Sequence, residues 1–214
     1  MKKSIRFEYE AHYVVSKEPD FREKEIWLLF HGYGQLAEFF IRKFQPFFDG
    51  NRLFIAPEGT NYAYLKDFLG RVGANWMTRH EREKAIENNH RYLDELMESY
   101  LMKFEKKPKL KILGFSQGAA TATRWASRWS GQVDSLILWA GGFAHDMKLE
   151  DARGKFSQTN LKLVLGTQDE LITPESIEKQ EELIRSLGKS IEKITFEGGH
   201  ELDTEILKMM MEVK

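Results

Sequence analysis

The chain has 214 residues, of which 42% are hydrophobic and 13% aromatic, so it suits one domain with a sizeable core and is not a disordered chain. Its 32 basic and 33 acidic residues leave a formal net charge of −1, which gives no whole-chain footprint for nucleic acid or an anionic membrane. The absence of cysteine removes disulfides, thiolate metal sites and a cysteine nucleophile.

The chain opens on Met1-Lys2-Lys3, which resembles the start of a signal peptide, but no apolar run follows. Instead Ile5, Phe7 and Tyr9 alternate with polar residues, which predicts an edge strand over 5–15. Further apolar runs predict strands near 26–31, 52–56, 110–115, 134–140, 161–166 and 191–196. Between them, Ile86, Leu93, Leu96, Met97, Tyr100, Leu101 and Phe104 repeat at helical spacing over 80–104. The five lysines of Lys103 to Lys111 read as a solvated helix-to-strand connection. Thr173-Pro174-Glu175 predicts a helix with Thr as N-cap and Pro at its first position. The last helix carries Leu202, Ile206, Met209, Met210 and Val213, its methionines read as core filler. Strands alternating with helices predict a mostly parallel α/β sheet with helices on both faces, as one domain over 1–214. No run of about 18 apolar residues occurs, so no stable membrane insertion is expected and the protein is expected to be cytoplasmic.

Two connections are longer than usual: about Pro57 to Arg79 and Gly141 to Asn160. Both leave carboxyl ends of predicted strands, where open parallel sheets build their sites. Their aromatics either wall a substrate pocket or cover the sheet edge. Trp76, Phe143, Tyr62 and Tyr64 are the candidate substrate-binding residues. Neither connection is long enough for a large lid domain.

Gly114-Phe115-Ser116-Gln117-Gly118 carries the chemistry. The strand Leu110 to Phe115 runs into it and a helix from Ala119 leaves it. A G-x-S-x-G at such a junction is the nucleophile elbow of α/β-hydrolases, where a side chain on either glycine would collide with neighbouring backbone. Alone, the pentapeptide could equally be a glycine-rich turn with a solvated serine. The order Ser, then acid, then His is what decides. Asp169 lies just beyond the strand Leu161 to Gly166, and His200 follows Glu197-Gly198-Gly199 beyond the strand Ile191 to Phe196. Glu170 is farther from the strand end than Asp169, and Asp203 breaks the order by following His200. His12, His80, His90 and His145 occupy no late strand-to-helix loop.

Acyl transfer also needs N–H donors aimed at the developing oxyanion. One is expected from the residue after the nucleophile, Gln117. The other is expected in His31-Gly32-Tyr33-Gly34, after the strand Glu25 to Phe30, with Tyr33 favoured over its glycine neighbours. His31 reads as a structural anchor.

These segments, with Ile55-Ala56-Pro57, Gly166-Thr167-Gln168-Asp169, Pro174 and Gly199-His200, resemble the phospholipase/carboxylesterase family of small α/β-hydrolases, which includes acyl-protein thioesterases. The likeness runs from about residue 25 to the end. It implies a Ser116, Asp169, His200 triad in an ester or thioester hydrolase. The chain departs from the family pattern at Gln35, where an acidic residue is common, and at Trp76-Met77-Thr78, where Trp-Phe-Asp is common. Both departures bear on the acyl pocket.

The expected activity is hydrolysis of carboxylic esters of short or medium acyl chains through an acyl-Ser116 intermediate. An acyl-thioesterase or lysophospholipase would use the same residues. A non-catalytic binding module on this scaffold is the reading from another class, and it normally lacks a triad member. No cofactor or metal is expected, since no H-E-x-x-H or Asp/His cluster occurs. The expected partner is a small-molecule ester or thioester, not nucleic acid, bound by a monomer or homodimer.

Overall fold

The inner strands are apolar on both faces because helices cover both, the pattern of a buried parallel sheet. In the strand β2 (Glu25–Phe30), Ile26, Leu28 and Phe30 join one buried cluster, while Trp27 and Leu29 join the other. The structure is a computed structural model that describes residues 1–211. Its other strands are β1 (Tyr13–Val15), β3 (Arg52–Pro57), β4 (Asn61–Lys66), β5 (Leu69–Asn75), β6 (Lys109–Phe115), β7 (Ser135–Trp139), β8 (Asn160–Gly166) and β9 (Glu192–Phe196). The helices are α1 (Ala37–Ile41), continued by a 3-10 turn over Arg42–Phe47, α2 (Arg82–Leu101), α3 (Gln117–Arg128), α4 (Leu149–Lys155), α5 (Pro174–Ser186) and α6 (Thr204–Met211).

Seven strands form one sheet in the order β1-β3-β2-β6-β7-β8-β9. All neighbours pair in parallel except β1, which runs antiparallel to β3. On one face, Leu93, Leu96, Met97 and Tyr100 of α2 pack with Ala119, Ala122 and Trp125 of α3 and Ile184 of α5. On the other, Phe40 of α1 and Phe44 of the 3-10 turn pack with Leu207, Met210 and Met211 of α6. Thr173 caps α5 as expected, its hydroxyl accepting from the Ser176 N–H at 3.2 Å. Met209 on α6 is exposed, and Val213 lies outside the described residues. Among the described residues no helix is long and apolar enough to cross a membrane.

Three expectations change. The edge strand is confined to Tyr13–Val15, and Ile5, Phe7 and Tyr9 are exposed. Alternation there has no neighbouring strand to pair with. The connection after β3 is not irregular: β4 and β5 form an antiparallel hairpin, with Tyr62 opposite Ala74 and Tyr64 opposite Val72. The connection after β7 contains α4, whose Ala152 is buried.

Candidate active site

Parallel pairing brings the carboxyl ends of β2, β6, β8 and β9 to one end of the sheet. Ser116 follows β6 directly and caps α3 with φ 54° and ψ −121°, a conformation strained for any residue with a Cβ. The turn closes tightly enough that a Cβ on Gly114 would lie 2.6 Å from the Ala119 Cα, and one on Gly118 would lie 2.4 Å from the Phe30 carbonyl oxygen. The two glycines let α3 pass this close to β6 and β2.

The structure brings Ser116, His200 and Asp169 together. His200 Nε2 lies 2.8 Å from the Ser116 Oγ, and His200 Nδ1 lies 2.8 Å from Asp169 Oδ2. Asp169 takes the Leu171 N–H on its other oxygen at 2.9 Å, so both carboxylate oxygens are engaged. Glu170 takes no part in this chain. The Asp169 side chain is 0% exposed and that of His200 23%, so of this pair only the imidazole reaches solvent. The His200 loop is held in place by the Gln168 N–H, which donates to the Gly198 carbonyl, and by the Trp139 indole, which donates to the Glu201 carbonyl. The Phe115 ring packs 5.1 Å from the imidazole.

The loop after β2 is equally constrained. His31 is fully buried, its Nδ1 bonded to the Gly32 carbonyl and its Nε2 accepting from the Gly59 N–H. Only the neutral Nδ1–H form satisfies both partners, and burial lowers its pKa from 6.5 to about 4. Three of the N–H groups that follow are taken: Gly32 donates to the Gln35 side chain, Gly34 to the Ala74 carbonyl and Gln35 to the Gly32 carbonyl. Among the described residues, the Tyr33 and Gln117 N–H groups have no hydrogen-bond acceptor.

The four candidate substrate contacts separate into two pairs. Trp76 and Phe143 are 0% and 2% exposed and leave no face for a ligand. The Trp76 indole donates to the His31 carbonyl, and Phe143 packs against Phe156. Both are core residues because their loops fold inward to cover the sheet. Tyr62 and Tyr64 are exposed on β4, with the Tyr62 hydroxyl donating to Glu58. The exposed apolar residues of this region are instead Tyr33, Leu65, Phe68, Leu69 and Leu171. Leu65 lies over Gly34, and Leu171 follows Asp169 by two residues.

A second polar cluster lies along α2 and α3. Asp146 bridges Arg82 and Arg124, its lowered pKa reflecting hydrogen bonds from both that outweigh burial. It braces the loop after β7, as does the Gln180 amide, which bonds both the N–H and the carbonyl of Phe143. Among the described residues no group of three His, Cys, Asp or Glu is placed to hold a metal ion.

A parallel sheet flanked by helices, with a serine on a strained turn after its central strand and no lid domain among the described residues, is the α/β-hydrolase fold. A family model described as Phospholipase/Carboxylesterase matches residues 11–213, and the chain belongs to that family of hydrolases. No curated protein matches it in sequence. Its fold is similar to the acyl-protein thioesterase 2 of Zea mays, at 16% identity over 94% of this chain and 96% of that one, with a TM-score of 0.72. A phospholipase/carboxylesterase from Dyadobacter fermentans is 18% identical over 97% and 98% of the two chains, also with a TM-score of 0.72. The Bacillus cereus carboxylesterase is 18% identical over 94% and 92%, with a TM-score of 0.70. Identities this low speak for the fold alone.

Proposed function

We propose that the protein is a serine hydrolase that cleaves carboxylic esters of short or medium acyl chains through an acyl-Ser116 intermediate. The observation that carries this reading is the unbroken hydrogen-bond chain Ser116–His200–Asp169 beside the Tyr33 and Gln117 N–H groups, which have no acceptor among the described residues.

Each residue's chemistry follows from its partners. His200 holds its proton on Nδ1 against the Asp169 carboxylate, which leaves Nε2 free to accept the Ser116 hydroxyl proton. The Oγ then attacks the ester carbonyl carbon, and the carbonyl oxygen becomes an oxyanion held by the Tyr33 and Gln117 N–H groups. The imidazolium, stabilised by Asp169, returns its proton to the departing alcohol. Water, deprotonated by His200, then attacks the acyl-enzyme and releases the acid and free Ser116. His31 takes no part, being buried, neutral and bonded on both nitrogens.

A second reading, an acyl-thioesterase or lysophospholipase, is favoured by one observation: Leu65, Phe68 and Leu69 are exposed on the β4–β5 hairpin, whose Leu65 lies over Gly34 of the loop after β2, and a longer chain could lie along them. The Zea mays neighbour is an acyl-protein thioesterase. Rates on p-nitrophenyl esters from acetyl to palmitoyl, for the wild type and Ser116→Ala, test both readings. Serine-dependent turnover that peaks at short chains supports the esterase, and a peak at long chains supports the second reading. Equal rates for the two proteins on every ester would sink both.

A further inference from the structure

The backbone of Gln117 belongs to the nucleophile turn, but its side chain reaches across to another part of the molecule. Its Oε1 accepts from the Trp76 N–H at 2.9 Å, and its Nε2 donates to the Met77 carbonyl at 2.9 Å. Because one partner can only donate and the other only accept, the orientation of the amide is fixed. Among the described residues, these are the hydrogen bonds that join the segment from Ala74 to Met77 to α3.

The same segment is bound to the loop after β2. The Gly34 N–H donates to the Ala74 carbonyl at 2.8 Å, and Gln35 forms a bridge with Ala74. The Trp76 indole donates to the His31 carbonyl at 2.9 Å, and its ring stacks 4.9 Å from the His31 imidazole. The Asn89 side chain, on α2, donates to the Trp76 carbonyl at 2.8 Å and holds the strap from behind. One short strap thus connects the loop that carries the Tyr33 N–H to the turn that carries the Gln117 N–H.

We propose that the Gln117 side chain is a positioning residue that sets the spacing of the two oxyanion donors by holding this strap against the nucleophile turn; the proposal rests on the hydrolase reading above. A carboxamide of this length supplies both an acceptor for Trp76 and a donor for Met77. A carboxylate keeps the first bond and sets a negative charge against the Met77 carbonyl. A leucine supplies neither bond. In each variant the backbone N–H at position 117 remains, but the side-chain tether that sets the Tyr33 loop relative to it is weakened in Gln117→Glu and lost in Gln117→Leu. Binding of the ground-state ester does not depend on that spacing, whereas stabilisation of the oxyanion does.

The test compares wild type, Gln117→Leu and Gln117→Glu on p-nitrophenyl butyrate, with active sites counted by stoichiometric labelling with a fluorophosphonate. The expected result is a loss of about 10- to 100-fold in kcat per labelled site, with KM within about 3-fold of wild type. The affinity for an alkylboronic acid, whose oxygen occupies the oxyanion position, should fall by a similar factor. A merely structural role would lower the number of labelled sites and leave kcat per site unchanged. If Gln117→Leu does not fold, Gln117→Glu, which retains one of the two bonds, is read in the same way. A kcat per site within about 2-fold of wild type in a folded variant, or a loss confined to KM, overturns the proposal and leaves the hydrolase reading standing. A wild type with neither Ser116-dependent turnover nor labelling overturns both.

Discussion

Asp169 presents one carboxylate oxygen to the His200 Nδ1 at 2.8 Å and the other to the Leu171 N–H at 2.9 Å. The second bond orients the carboxylate, so the first can select the imidazole form with its proton on Nδ1. Asp169→Asn would retain the shape and offer an amide N–H or a weaker acceptor in its place. Turnover of p-nitrophenyl butyrate should fall by about 1,000- to 10,000-fold, with the melting temperature little changed. A loss below about 10-fold would remove Asp169 from the proposed mechanism.

Ser116→Ala and His200→Ala should each abolish ester hydrolysis above background while the circular dichroism spectrum stays native. Neither side chain is part of the buried apolar clusters, so the fold does not depend on them. Activity retained in either purified variant would refute the assignment.

Gly118→Ala tests the closeness of the turn. The new Cβ would meet two backbone carbonyl oxygens, 2.4 Å from that of Phe30 and 2.5 Å from that of His31, and neither can swing aside as a side chain would. A loss of about 1–3 kcal/mol in unfolding free energy is expected from denaturant titration, with a fall in turnover if the loop after His31 holds the oxyanion as proposed.

Two histidines make stability depend on pH. Burial lowers His31 from 6.5 to about 4, and burial, with repulsion from Arg128 and Arg124 partly offset by Glu87, does the same to His90. Between those values the unfolded chain binds protons that the folded chain refuses, so stability is full above pH 6.5 and declines as pH falls toward 4. His31 should remove up to about 2 kcal/mol by pH 5, and His90, which is less enclosed, a smaller amount. Urea unfolding at pH 7 and pH 5 measures the slope, and His90→Gln should flatten it. A profile in the wild type that does not change over this range would contradict the burial argument.

The sheet was legible wherever a strand is buried on both faces, since β2, β6, β7 and β8 are then rich in apolar residues, with only Lys111 and Lys162 interrupting the runs of β6 and β8 near their starts. The convergence of Ser116, Asp169 and His200 was legible because the fold restricts the order in which such residues follow its strands. The hairpin was not. Tyr62 to Lys66 is exposed along its whole length and shows no inward face, and β5 contains Gly70 and Gly73, which read as loop. Pairing between the two strands, not burial, makes them strands. The burial of Trp76 and Phe143 was not legible, for the opposite reason. An aromatic residue in a long connection gives no sign of whether its loop folds inward, and both of these do.

The φ of 54° at Ser116 has a consequence for the protein under selection. A residue with a Cβ held in this region is strained by about 1–3 kcal/mol, and glycine is not. Ser116→Gly should therefore equal or exceed the parent in stability while losing all turnover. Any programme of directed evolution that scores thermal tolerance alone will drift toward erasing the proposed nucleophile, so heat challenge must be coupled to an ester-cleavage readout in every round.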